Sequence, residues 1–141
     1  MDRSASAVWN GSLKEGKGTI SSQSGALKAM QYSFAARFAE GVGTNPEELI
    51  AASHAGCFSM ALSGQLGSAD LVPDSIETTA VVTLEKTDAG FTVTKIHLTT
   101  KAKIPGIDKA KFDEIAAGAK AGCPISRLLA AAEITLDATL I

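Results

Sequence analysis

Cysteine and histidine are scarce in this sequence, with two of each in 141 residues. Cys57 and Cys123 stand too far apart for any zinc-ligand spacing, and no carboxylate cluster accompanies His54 or His97, so neither a metal nor another cofactor is expected. A long apolar run is also missing. The longest, residues 49–62, is broken by Ser53, His54, Gly56 and Ser59 and falls short of the roughly 20 residues of a spanning helix, which excludes a membrane span. Neither charge dominates: 13 Lys+Arg against 15 Asp+Glu gives a net charge of -2, and the lysines are scattered. Without a basic stripe to hold phosphates, nucleic acid is not an expected partner. Gly11, Gly16 and Gly18 lack the strand-to-helix context of a nucleotide loop. The opening MDRSASAVWNG has neither the apolar core nor the cleavage site of a secretory signal, so a cytoplasmic location is expected. In that reducing compartment a disulfide is not a stable structural staple, and any pairing of the two cysteines is expected to be catalytic.

What is present suits one globular domain over residues 1–141: 45% of residues are hydrophobic and 20% charged, close to ordinary soluble usage. Three short strands, 5–10, 17–22 and 30–38, are separated by turn glycines and suggest an antiparallel meander. Thr44-Asn45-Pro46-Glu47-Glu48 then reads as a helix start, with Asn45 as cap and Pro46 at the first helical position. The helix over 46–65 carries apolar residues on nearly every face, the pattern of a central helix packed on several sides. Residues 76–86 alternate apart from Thr78 and Val81, and a turn at 87–90 leads into a second β-rich run, 91–103. Helices are expected over 107–121 and, opened by Cys123-Pro124, through Ala132; a closing strand follows over 133–141. The sum is an α+β fold of antiparallel sheets packed around a buried helix.

Four side chains invite a chemical reading. Cys57 lies inside the apolar helix, where a cysteine is ordinarily a small buried hydrophobe. Cys123 lies near a helix N-terminus, whose partial positive charge favours a thiolate, although a cysteine there also serves simply as a cap. Arg37, among aromatic and aliphatic neighbours, either reaches out from an edge strand or supplies a fixed charge that needs a carboxylate or thiolate partner. Glu47 precedes Cys57 by about 15 Å of helix axis. It therefore acts on that cysteine indirectly or from another subunit, or else only favours the helix dipole. His54 shares the helix face of Cys57, which admits a Cys-His nucleophile, but nothing is placed to orient it and a packing role is the simpler reading; His97 is expected at the surface or an interface.

The run Gly43-Thr44-Asn45-Pro46-Glu47-Glu48-Leu49-Ile50, followed by His54, by Cys57-Phe58-Ser59-Met60-Ala61-Leu62 and by Lys120-Ala121-Gly122-Cys123-Pro124, resembles the OsmC/Ohr family of osmotically inducible and organic hydroperoxide resistance proteins. Trp9, Gly16-Lys17-Gly18-Thr19, Pro105-Gly106-Ile107-Asp108 and Glu133-Ile134-Thr135-Leu136-Asp137 extend the resemblance, which is strongest to the OsmC branch, along nearly the whole chain. It implies a single OsmC-like domain in an intertwined homodimer, with the sites at the dimer interface and organic hydroperoxides as substrates. It also implies that Cys57 is the peroxidatic residue, that Cys123 resolves it through a disulfide, and that Arg37 and Glu47 are the family's charged pair. In the Ohr branch that arginine comes from elsewhere in the chain. Gly56 stands where many relatives have alanine, a change expected to loosen packing beside Cys57 without altering the chemistry.

The expected cycle needs no metal or haem. A dithiol, of lipoyl or another small type, would reopen the disulfide. Apolar walls from Phe58, Met60 and Leu62, joined by Phe34 or Phe38, would favour a peroxide with a hydrocarbon tail. Two other readings stand beside it: a thiol hydrolase using Cys57 and His54, which would not need Cys123, and a non-enzymatic ligand-binding stress dimer that needs neither thiol.

Overall fold

The structure, a computed structural model, describes residues 1–141. The chain divides into two compact units, 1–49 and 50–141, each with its own three-stranded sheet.

The first unit holds β1 (Ala5–Asn10), β2 (Lys17–Ser22) and β3 (Met30–Ser33), an antiparallel meander in the order expected. Gly18 sits on β2 opposite both Trp9 and Tyr32, whose rings lie 5.2 Å apart. A Cβ there would come within 2.3 Å of the Tyr32 ring and 2.6 Å of the Val8 carbonyl, so only glycine lets the aromatic pair close over the strand. The expected strand over 30–38 ends early, at Ser33. The Ser33 Oγ accepts from the Ala36 N–H at 3.1 Å and turns the chain into a short helix, α1 (Phe34–Phe38). Arg37 is thus a helical residue in the last turn, not a strand residue.

The next helix, α2 (Pro46–Gly67), begins where the sequence predicts. Asn45 Oδ1 accepts from the Glu48 N–H at 2.9 Å, and Asn45 Nδ2 donates to the Ala36 carbonyl at 3.2 Å. One side chain therefore caps α2 and anchors its start to α1.

The second unit takes the rest of α2, β4 (Ser75–Thr87), β5 (Gly90–Lys103), α3 (Lys109–Gly122), α4 (Pro124–Leu128) and β6 (Glu133–Leu140). β4 and β5 form the expected long hairpin, with a bulge at Thr83/Leu84. Thr78, the polar exception on the inward face, donates to or accepts from Thr100 at 3.0 Å and accepts from Ser59 at 2.8 Å, so its hydroxyl is satisfied inside. β6 pairs with β5 in parallel, from Lys95↔Glu133 to Ala102↔Leu140, which makes this sheet mixed where antiparallel sheets were expected. The helical crossover through α3 and α4 returns the chain to the same end of the sheet, and a parallel partner results.

The core of this unit joins Phe58, Leu62 and Leu66 of α2 to Leu98 and Ala102 of β5 and to Phe112, Ile115, Ala116 and Ala119 of α3. Only the stripe His54, Phe58, Leu62 and Leu66 of α2 is buried in the chain, and Met60 remains 77% exposed. The all-round apolar pattern is thus covered on one face alone. No helix is long and apolar enough to cross a membrane.

Asn45→Ala removes the cap and the anchor together and should lower unfolding stability by about 1–2 kcal/mol. Asn45→Asp, which keeps the accepting oxygen, should lose less. Urea unfolding checks this, and an Asn45→Ala midpoint equal to wild type would contradict the double role.

Candidate active site

In the second unit the helices bring the two cysteines together. Cys57 lies one turn beyond His54 on α2, and Cys123 sits at the junction where α3 ends and α4 begins. The backbone of Cys123 is held from both sides: its N–H donates to the Ala119 carbonyl at 2.9 Å, and its carbonyl accepts from the Arg127 N–H at 3.0 Å. Pro124 makes this junction, since it offers no N–H to continue α3 and suits the first position of α4. Both cysteines are free thiols, Cys123 fully buried and Cys57 partly exposed.

The Cys123 thiol can donate to the Cys57 sulfur, with the two Sγ atoms 3.0 Å apart. When one sulfur ionises, the remaining S–H serves it, so the pair readily carries one negative charge and resists a second. Burial and the hydrogen bond to Cys123 raise the pKa of Cys57, with the neighbouring charge adding to them, although the Ile125 N–H pulls the other way. Burial also opposes ionisation of Cys123. It is outweighed by hydrogen bonds from Cys57, from the Ser126 N–H and hydroxyl and from the Ile125 N–H, which bring Cys123 below the ordinary thiol value. Within this chain the charge is therefore better accommodated on Cys123.

His54 is fully buried, and its Nε2 lies 2.7 Å from the Ser126 Oγ. Burial lowers its pKa and keeps the ring neutral. A hydrolase reading needs His54 as the base for Cys57, yet Nε2 is engaged by Ser126. Sequence reasoning passed over Ser126. Its position three residues after the capping Cys123, the place where a side chain reaches back to a helix start, was the available signal.

In the first unit, Arg37 and Glu47 form a forked ion pair, Nε to Oε2 at 3.1 Å and Nη2 to Oε1 at 2.7 Å. Glu47 is the better shielded partner, its side chain 13% exposed against 37% for Arg37. The two-point contact fixes the guanidinium plane and leaves Nη1 outside the pair. The sequence allowed Arg37 a carboxylate or a thiolate partner; in this chain it has the carboxylate. Beside Arg37 lies a cavity of about 270 Å³ lined by Trp9, Leu13, Tyr32, Phe34, Phe38 and Pro46. Phe34 and Phe38, one helical turn apart, pack with ring centroids 4.8 Å apart and ring planes tilted by 40°. Phe58 and Leu62, expected as pocket walls, are instead buried in the core of the second unit.

The chain matches the OsmC family, described as OsmC-like protein, over residues 39–139. That span includes Glu47, Cys57 and Cys123 and stops short of Arg37. The chain is 55% identical to peroxiredoxin OsmC of Escherichia coli (strain K12) over 137 residues, 97% of this chain and 95% of that protein. It is 35% identical to organic hydroperoxide resistance protein OhrB of Bacillus subtilis (strain 168) over 86 residues, 60% of this chain and 61% of the relative. The crystal structure of an organic hydroperoxide resistance protein OsmC from Legionella pneumophila, 25% identical, superposes with a TM-score of 0.71 over 96% of both chains. With the mixed α+β fold shared and the identity to OsmC well above that to OhrB, this chain belongs to the OsmC/Ohr family, on its OsmC side.

Proposed function

We propose that this protein is a thiol peroxidase that reduces organic hydroperoxides to alcohols, with Cys57 attacking and Cys123 resolving. The observation that carries the reading is the contact of the chain's two thiols at 3.0 Å, one buried and the other partly exposed. The names of the relatives, a peroxiredoxin and an organic hydroperoxide resistance protein, support the substrate class.

The cycle begins with the proton on Cys123 and the charge on Cys57. The Cys57 thiolate attacks the distal peroxide oxygen, the O–O bond breaks, and the alkoxide takes the proton that Cys123 gives up. Cys57 is then a sulfenic acid and Cys123 a thiolate. Cys123 attacks the Cys57 sulfur and expels hydroxide, so one hydroperoxide has become one alcohol and one hydroxide while two thiols have lost two electrons to a disulfide. A dithiol, of lipoyl or another small type, returns the two electrons by exchange. No metal or other cofactor enters the cycle, which suits a reducing cytoplasm.

Arg37 has a defined task in this scheme. The surroundings of the pair favour the charge on Cys123, and attack requires it on Cys57. A guanidinium held flat by Glu47 is a charge of the sign that would move it there. The uncovered apolar side of α2, with Met60 exposed, supports assembly as an intertwined homodimer in which α2 becomes the central buried helix. The aromatic cavity beside Arg37 suits a hydrocarbon tail.

One equivalent of cumene hydroperoxide added to the reduced protein should remove both thiols and lower the mass by about two units as the disulfide forms. Cys57→Ser should not react, and Cys123→Ser should stop at a sulfenic acid. Retention of both thiols by the wild type would sink the peroxidase and leave the stress-dimer reading to be tested. Arg37→Met should slow the first thiol loss about tenfold or more, and Glu47→Gln should slow it less, because it loses orientation but keeps the charge. An unaltered rate in Arg37→Met would remove arginine from the mechanism. Phe34→Ala should raise KM for cumene hydroperoxide more than for hydrogen peroxide; equal increases would argue against the cavity as the tail site.

A further inference from the structure

His54 presents a puzzle that packing does not explain. A fully buried imidazole has one nitrogen bonded to Ser126, while the other, Nδ1, is buried without a partner. A leucine or phenylalanine could fill such space with no orphaned polar atom, so the cost of Nδ1 calls for a compensating role. The Ser126 hydroxyl, also buried, stands three residues beyond Cys123 in α4 and is among the groups that lower the pKa of its thiol. The imidazole and the hydroxyl form a short chain from α2 to α4 that ends beside the helix start at Cys123.

The tautomer fixes the direction of the chain. If the proton were on Nδ1, a buried N–H would lack an acceptor, and Nε2 would draw the Ser126 proton toward itself and away from Cys123. With the proton on Nε2, the orphan is a bare lone pair, the more tolerable of the two. The serine oxygen then accepts from Nε2–H, and the serine proton is left for the sulfur. The charged and titratable groups around Ser126 and Cys123 are Cys57 and His54 from α2, Lys120 from α3 and Arg127 from α4, while β6 presents Ile134. The Lys120 ammonium donates to the Ile134 carbonyl at 3.1 Å.

We infer that His54 is a positioning residue for Cys123: its Nε2–H holds the Ser126 hydroxyl as a standing donor to the Cys123 thiolate. This deepens the peroxidase reading and rests on it for the timing. Charge leaves Cys57 in the first step and must reside on Cys123 in the second. The serine proton steadies it there until the sulfur attacks the sulfenic acid, and again when reduction of the disulfide releases Cys123 as a thiolate.

Two measurements test the relay. In a Cys57→Ser background, the ultraviolet absorbance of the single remaining thiolate titrates Cys123 alone. His54→Leu should move its midpoint up by about one pH unit, since the serine hydroxyl is no longer held toward the thiolate, and Ser126→Ala, which removes the donor itself, should do the same. His54→Gln, whose amide can place an N–H near the Nε2 position, should restore it. In the two-cysteine protein, cumene hydroperoxide in the presence of dimedone divides the sulfenic acid between disulfide and adduct, and His54→Leu should shift that ratio about tenfold toward the adduct. An unmoved midpoint in Ser126→Ala, or in a folded His54→Leu, overturns the relay, as does failure of His54→Gln to restore it. If His54→Leu does not fold, Ser126→Ala carries the test. A moved midpoint in a protein that forms no disulfide would sink the peroxidase reading and leave the relay standing; disulfide formation with an unmoved midpoint would sink the relay alone.

Discussion

Two sulfurs held 3.0 Å apart in the interior of a small unit can share one negative charge but not two, and the chemistry of the site follows from that constraint. A single thiol in such a place would be raised by burial and left inert. The second thiol changes this, because whichever sulfur ionises gains a donor from the other. Holding the sulfurs this close asks for rigid backbone on both sides. Cys123 has it from the ends of two helices, tied to Ala119 and to Arg127. Cys57 has it from α2, whose buried stripe locks the helix onto β5 and α3 through Phe58, Leu62 and Leu66.

Groups that bias the shared charge therefore matter more than groups that merely create one. Around Cys123 these are neutral donors, two backbone N–H groups and a serine hydroxyl, which hold an anion without adding a full charge to the core. Arg37 is a different kind of group, a permanent cation whose plane is fixed by the two Glu47 oxygens. In the proposed cycle the two kinds act in turn, the cation favouring the attacking sulfur and the neutral donors the resolving one. Such a division suits a reaction in which the negative charge passes from one sulfur to the other between steps.

Much of the architecture was legible in the residues. The Asn45-Pro46 start of α2, the hairpin of β4 and β5, and the junction at Cys123-Pro124 rest on local rules of capping, alternation and proline geometry, and they stand where those rules put them. Local rules failed where the deciding partner lay elsewhere. Residues 34–38 continue an apolar run that reads as strand, and five residues are too few to show a helical period; the turn was decided by the Ser33 cap. Strand direction leaves no trace in an alternating pattern, so the parallel pairing of β6 was invisible. The cavity of Trp9, Tyr32, Phe34 and Phe38 gathers side chains from separate elements, and no motif announces it.

By itself the sequence determined the family and nominated both cysteines, Arg37 and Glu47, because a motif of fixed spacing such as the one from Gly43 to Leu62 is written in consecutive residues. For Arg37 it left two readings open, a side chain reaching out from an edge strand or a fixed charge in need of an anionic partner. Only the tertiary structure decided that this partner is Glu47, that the two thiols touch, and that His54 turns toward Ser126. Each of these is a contact of about 3 Å between side chains 10 to 72 positions apart in the chain. Such contacts depend on where helices cross and how their ends are tied, and a one-dimensional pattern carries no such distance.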